Sequence, residues 1–116
     1  MSAFENRLTE LGIILPEPVA PVANYVPFVR TGDQVFISGQ VSIGPDGLVK
    51  GTRGLDMGVE AGQAAARLCA SNLIAQLKAA CCGDLSRLKR AVKLGGVGAA
   101  VPGFTDIPNG LNGRFR

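Results

Sequence analysis

The sequence predicts an α+β domain built around a β-hairpin and one long helix. Three observations carry this. Residues 34–41 alternate with period two. A Gly44-Pro45-Asp46-Gly47 turn follows them. A stripe of mostly small residues then runs at helical spacing from Val59 to Ala80.

In chain order, Phe4, Leu8 and Leu11 mark a short helix over residues 4–13, with Gly12 as its stop. Three prolines within residues 16–22 make an extended linker. Residues 24–31 and 34–42 read as two strands joined at Thr31-Gly32-Asp33. Val35, Ile37, Gly39 and Val41 share one face of the second strand, and Phe36, Ser38 and Gln40 share the other. From about Asp56 to Cys82 the pattern is helical, with Val59, Gly62, Ala66, Cys69, Leu73, Leu77 and Ala80 on one side. Gly83 stands where a left-handed cap belongs. Asp84-Leu85-Ser86 starts a turn, and the alternation of residues 88–97 predicts a half-buried strand. The minimal order is therefore β-β-α-β.

A chain of 116 residues is one domain by the ordinary prior. Hydrophobic residues make up 47% of it and aromatics 5%, so the core rests on Val, Leu, Ile and Ala. A domain this small buries a modest share of its surface, which makes self-association a natural completion. There is no histidine, and the three cysteines show no C-x-x-C spacing, so no zinc site, metal or cofactor is expected. The cysteines read as reduced thiols of a cytoplasmic protein. No apolar run reaches the roughly 18 residues of a membrane span, and the N-terminus has no secretory core.

The net charge of +3 comes largely from Arg87, Lys89, Arg90 and Lys93. No aromatics interleave them for base stacking, so a solvated face is the reading and nucleic acid is disfavoured. The Gly95-Gly96-Val97-Gly98 run does not fit a phosphate-binding glycine loop. Without histidine there is also no Ser-His or Cys-His pair.

One combination of segments is specific. Asn24-Tyr25-Val26-Pro27 leads to Arg30-Thr31-Gly32 and Val35-Phe36-Ile37-Ser38-Gly39-Gln40. Ala64-Ala65-Ala66-Arg67 and Asn72 follow, then Gly83-Asp84-Leu85, Val92-Lys93-Leu94 and Pro102-Gly103-Phe104-Thr105-Asp106. In this order and spacing the chain, over about residues 5–112, closely resembles the RidA/YjgF family, also known as endoribonuclease L-PSP.

The resemblance implies a chorismate-mutase-like fold, a hairpin plus long helix on a mixed sheet. It also implies a homotrimer with ligand clefts between subunits. The family activity it implies is hydrolysis of reactive enamines and imines, of the 2-iminobutanoate and 2-iminopropanoate type, to 2-keto acids and ammonia. The ligand would be a small carboxylate. The alternative is a non-catalytic, metabolite-binding or regulatory trimer, and cleavage of single-stranded RNA ranks last.

By position, Tyr25 matches the tyrosine lining the cleft, Ser38 and Gly39 the Ser-Gly step on its floor, and Asn112 the polar residue opening a second helix. Arg67 and Asn72 read as structural. No catalytic residue is assigned. The family's later strands carry an arginine that clamps the substrate carboxylate and a glutamate that positions water. Gly113-Arg114-Phe115-Arg116 departs from the family pattern, and neither residue has a match here. The expectation is one domain over residues 1–116, with the helix and linker at 1–22, the family-like core at 23–112 and a divergent end at 113–116. It is expected to be incomplete at its C-terminus and weak in activity.

Overall fold

The computed structural model describes residues 3–18, 20, 23–52 and 54–103. Helix α1 spans Ala3–Glu10. Hairpin strands β1, Phe28–Thr31, and β2, Gln34–Ile37, pair antiparallel. Strands β3, Ile43–Gly44, and β4, Gly47–Leu48, make a second, shorter hairpin. Helix α2 covers Val59–Ala80, and a 3-10 turn follows at Leu85–Arg87. The chain folds as two compact units, residues 1–40 with 71–91 and residues 41–70 with 92–116.

In the first unit α1 packs on the 3-10 turn. Leu8 is the buried residue of the helix, and Leu85 of the turn is 0% exposed. Fully burying a leucine is worth about 1.5–3 kcal/mol, so Leu85 is the main apolar anchor of this unit. The end of α1 shows how sequence sets the path. The Gly12 N–H donates to Thr9 O at 3.0 Å and the Ile13 N–H to Leu8 O at 2.9 Å. This is a Schellman cap, and its left-handed position falls on Gly12 at φ +71°. The Arg7–Glu10 ion pair at 3.2 Å is exposed on both sides and contributes little.

The first hairpin turns at Gly32-Asp33 with a positive φ of 58° at Gly32, as a type II′ turn requires of its first central residue. Val35 and Ile37 are half-buried while Gln34 and Phe36 are exposed, so the alternation of β2 is as the sequence implies. Both strands are shorter than the sequence suggests. β1 starts at Phe28 rather than residue 24, because Pro27 has no N–H to give the ladder.

In the second unit the turn at Pro45-Asp46 joins β3 to β4, with Gly47 at φ +102°. The sequence marks this turn, but strands of two residues carry no period by which to find them. Gly44 lies close to α2: a Cβ there would meet Leu68 Cδ2 at 3.0 Å. The absence of a side chain is what permits that approach.

α2 departs from its predicted stripe in its second half. Gly62 and Ala66 are buried as expected. Beyond them the most hidden residues are Asn72, Ala75 and Gln76, while Leu73 and Leu77 are only half-buried. Asn72 and Gln76 are 2% and 1% exposed, and neither is without a partner, as buried amides require. The helix end is also shifted by one residue. Cys82, at φ +57°, takes the left-handed place expected of Gly83, and Gly83 follows at +88°.

The strand predicted at 88–97 is not formed. Residues 89–99 are irregular and exposed, with Val92 and Val97 79% and 101% exposed. Alternation says which face a strand would bury, but a strand exists only with a ladder partner. Both sheets among the described residues are two-stranded and antiparallel, and neither includes this segment.

Candidate functional site

Three of the four site residues read from sequence, Tyr25, Ser38 and Gly39, lie at the open end of the first hairpin. The ladder runs from Thr31–Gln34 to Phe28–Ile37. At the next position the Ser38 N–H donates to Pro27 O at 2.9 Å. Pro27 has no N–H to return, so the carbonyl of Ser38 loses its usual ladder donor. Gln40 supplies one instead, its Nε2 donating to Ser38 O at 3.1 Å. The Ser38 hydroxyl donates to Val26 O at 2.6 Å. The Ser38 hydroxyl thus adds a cross-strand bond where proline interrupts the pairing and ties Val26 to the end of β2, while Gln40 satisfies the Ser38 carbonyl from its own strand.

This arrangement fixes what each residue can do. Ser38 is half-buried, and its hydroxyl hydrogen is engaged by Val26. It offers a ligand acceptor lone pairs only. Gly39 is exposed, and a Cβ built on it would meet nothing within 4 Å, so backbone is open to close approach there. Tyr25 is 44% exposed. Tyr25, Ser38 and Gly39 therefore share one end of one hairpin, a neighbourhood open to solvent. Asn112, Arg114 and Arg116 lie outside the described residues. Of the two residues read as structural, Asn72 is buried and Arg67 is exposed.

Sequence reasoning missed the role of Gln40, although Pro27 facing Ser38 was the available signal. It also missed a cleft of about 240 Å³ along α2, where Leu15, Pro16, Glu17 and Pro18 face Ala75, Lys78 and Ala79. This cleft is separate from the hairpin site and falls below the usual range for ligand pockets, about 300–1,000 Å³. Among the described residues no three His, Cys, Asp or Glu side chains converge. No described helix is long and apolar enough to cross a membrane.

The family model described as YjgF/chorismate mutase-like, putative endoribonuclease, matches residues 5–115. The chain belongs to this YjgF-like family. Protein TCP17 of Trypanosoma cruzi is 43% identical over 110 residues, covering 92% of this chain and 67% of that protein. A crystal structure of a protein of unknown function from Agrobacterium tumefaciens superposes with TM-score 0.84 at 44% identity, over 95% of this chain and 68% of the other. A putative endoribonuclease from Shewanella oneidensis superposes with TM-score 0.90 at 40% identity, over 95% and 73%. The YjgF-like α+β fold inferred from the Ser-Gly-Gln strand and the long helix is therefore the fold of the chain. Ser38 and Gln40 give that motif a structural purpose within this YjgF-like chain: Ser38 bonds across to Val26 where Pro27 interrupts the hairpin, and Gln40 caps the Ser38 carbonyl that Pro27 leaves without a donor.

Proposed function

We propose that this YjgF-like chain binds a small carboxylate of the imino or keto acid type beside Tyr25 and Gly39. The reaction we assign to that site is hydrolysis of a reactive imine or enamine. Water adds to the C=N carbon, the C–N bond breaks, and a 2-keto acid and ammonia result. The observation that supports this is the 2.6 Å bond from Ser38 Oγ to Val26 O, which fixes the residue next to exposed Tyr25 to the end of β2.

The same bond limits the chemistry. With its hydrogen engaged, Ser38 can accept from an iminium N–H but cannot donate to a carboxylate. Holding the carboxylate calls for a cation, a bidentate task suited to guanidinium. A non-catalytic, metabolite-binding or regulatory trimer is the second reading, and the engaged Ser38 hydroxyl is the observation in its favour.

The test generates 2-iminobutanoate enzymatically and follows keto-acid release with and without the chain. Calorimetry with 2-ketobutanoate measures binding, and single-stranded RNA is offered in a parallel arm. Binding and keto-acid release that are both lost in Tyr25→Ala are the expected result. RNA cleavage without ketobutanoate binding would overturn the proposal.

A further inference from the structure

α2 ends on two adjacent thiols that the hairpin site does not use. Cys82 is exposed, Cys81 is half-buried, and both are free. The cap around them is well defined. The Cys82 N–H donates to Ala79 O at 3.1 Å and the Gly83 N–H to Lys78 O at 2.8 Å. Cys82 is the sole described residue other than glycine with a positive φ, at 57°. A side chain in that conformation is uncommon, and here glycine is the very next residue.

The chemistry of neighbours decides what such a pair can take. The described chain has no cis peptide, so the alpha carbons of the two cysteines sit about 3.8 Å apart. A disulfide is comfortable at about 4.4–6.8 Å. Joining these sulfurs directly therefore closes a strained ring. Placing one larger atom between them lengthens the span and relieves that strain. No third ligand is at hand among the described residues, which disfavours a four-coordinate metal. Thiolates select soft centres.

We infer that Cys81 and Cys82 form a dithiol site for a soft, thiophilic centre with two open valences, of which trivalent arsenic is the type. With an arylarsenic oxide as reagent, two S–As bonds form and the As–O double bond breaks. The two thiol protons leave with the oxygen as one water, and nothing is oxidised or reduced.

The probe is phenylarsine oxide added to the folded chain. Excess monothiol then strips single-sulfur adducts, and intact mass is read. One phenylarsenic group per chain is expected, released by dimercaprol. Trypsin cuts after Lys78 and Arg87, so the adduct should fall on the 79–87 peptide, which holds both thiols and excludes Cys69. Cys81→Ser and Cys82→Ser should each abolish the retained adduct, and Cys69→Ser should leave it. An adduct mapping to Cys69, or one that forms in urea and not in the folded chain, would overturn the inference. The peptide map on the unmodified sequence decides the matter even where a serine variant folds poorly.

Discussion

Among the described residues, the unit of 1–40 and 71–91 hides large side chains, and the unit of 41–70 and 92–116 hides almost none. Leu8, Asn72, Ala75, Gln76 and Leu85 are buried in the first. Of the described residues of the second, only Gly62 and Ala66 are buried. Leu55, Val92 and Val97 are 74%, 79% and 101% exposed there. The first unit also shows an open apolar face, with Val29 and Phe36 50% and 61% exposed and paired across the hairpin. The difference teaches where stability is stored. Equal chemical changes should be felt in the first unit and go nearly unnoticed in the second.

Leu85→Ala is the strongest way to break that contrast. It removes a wholly buried side chain and should cost about 2–5 kcal/mol. Leu55→Ala, at a site 74% exposed, should stay within about 0.5 kcal/mol. Urea titration of both variants against the parent chain checks this. A loss in Leu55→Ala as large as that in Leu85→Ala would show that the second unit has its own hidden core.

The same contrast explains what could be read in the sequence. The first hairpin and α2 were legible because each repeats a period over several residues. The ends of β1 were not, because a single Pro27 outweighs the alternation around it. Residues 88–97 show the converse: a clean period with no ladder partner among the described residues gives no strand. The burial of Asn72 and Gln76 was hidden because periodicity follows apolar residues, and here amides occupy the deepest line of the helix. Tyr25, Ser38 and Gly39 were brought together as the hairpin required. That Ser38 uses its hydrogen on Val26 depends on a three-dimensional pairing, and no motif states it.

The two helix caps allow a smaller and sharper test. They share one hydrogen-bond pattern, but one uses Gly12 and the other Cys82 at the left-handed position. Gly12→Ala meets no atom within 4 Å, so its cost is backbone strain of about 1–2 kcal/mol, less about 0.5–1 kcal/mol for the freedom the unfolded chain loses. Cys82→Gly should relieve similar strain, less about 0.5–1 kcal/mol for the added freedom of the unfolded chain. The two changes should move the melting temperature in opposite directions. Destabilisation by Cys82→Gly would mean that the Cys82 side chain makes a packing contact stronger than the strain it bears.

The smallest effect concerns Asp84, which opens the 3-10 turn carrying Leu85. Its Oδ1 accepts from the Ser86 hydroxyl at 2.6 Å and from the Ser86 N–H at 3.0 Å. The hydroxyl bond first, then the backbone bond, and more weakly the Arg87 charge, hold the carboxyl below its ordinary value. The sign follows from linkage. A carboxyl lowered on folding binds fewer protons in the folded chain than in the unfolded one. Its contribution is therefore fully present above the unfolded value and fades as pH falls through the folded one. Because Asp84 is at the surface, screening by water and salt keeps the effect small. Melting curves between neutral and acidic pH should show the parent losing slightly more stability than Asp84→Asn. Asparagine does not titrate but can still accept from Ser86, so it separates charge from capping. Removal of the hydroxyl partner in Ser86→Ala should shrink the same acid-dependent difference. Identical acid profiles for the parent and Asp84→Asn would mean that the cap draws its strength from geometry alone and that the charge contributes nothing to holding Leu85 in place.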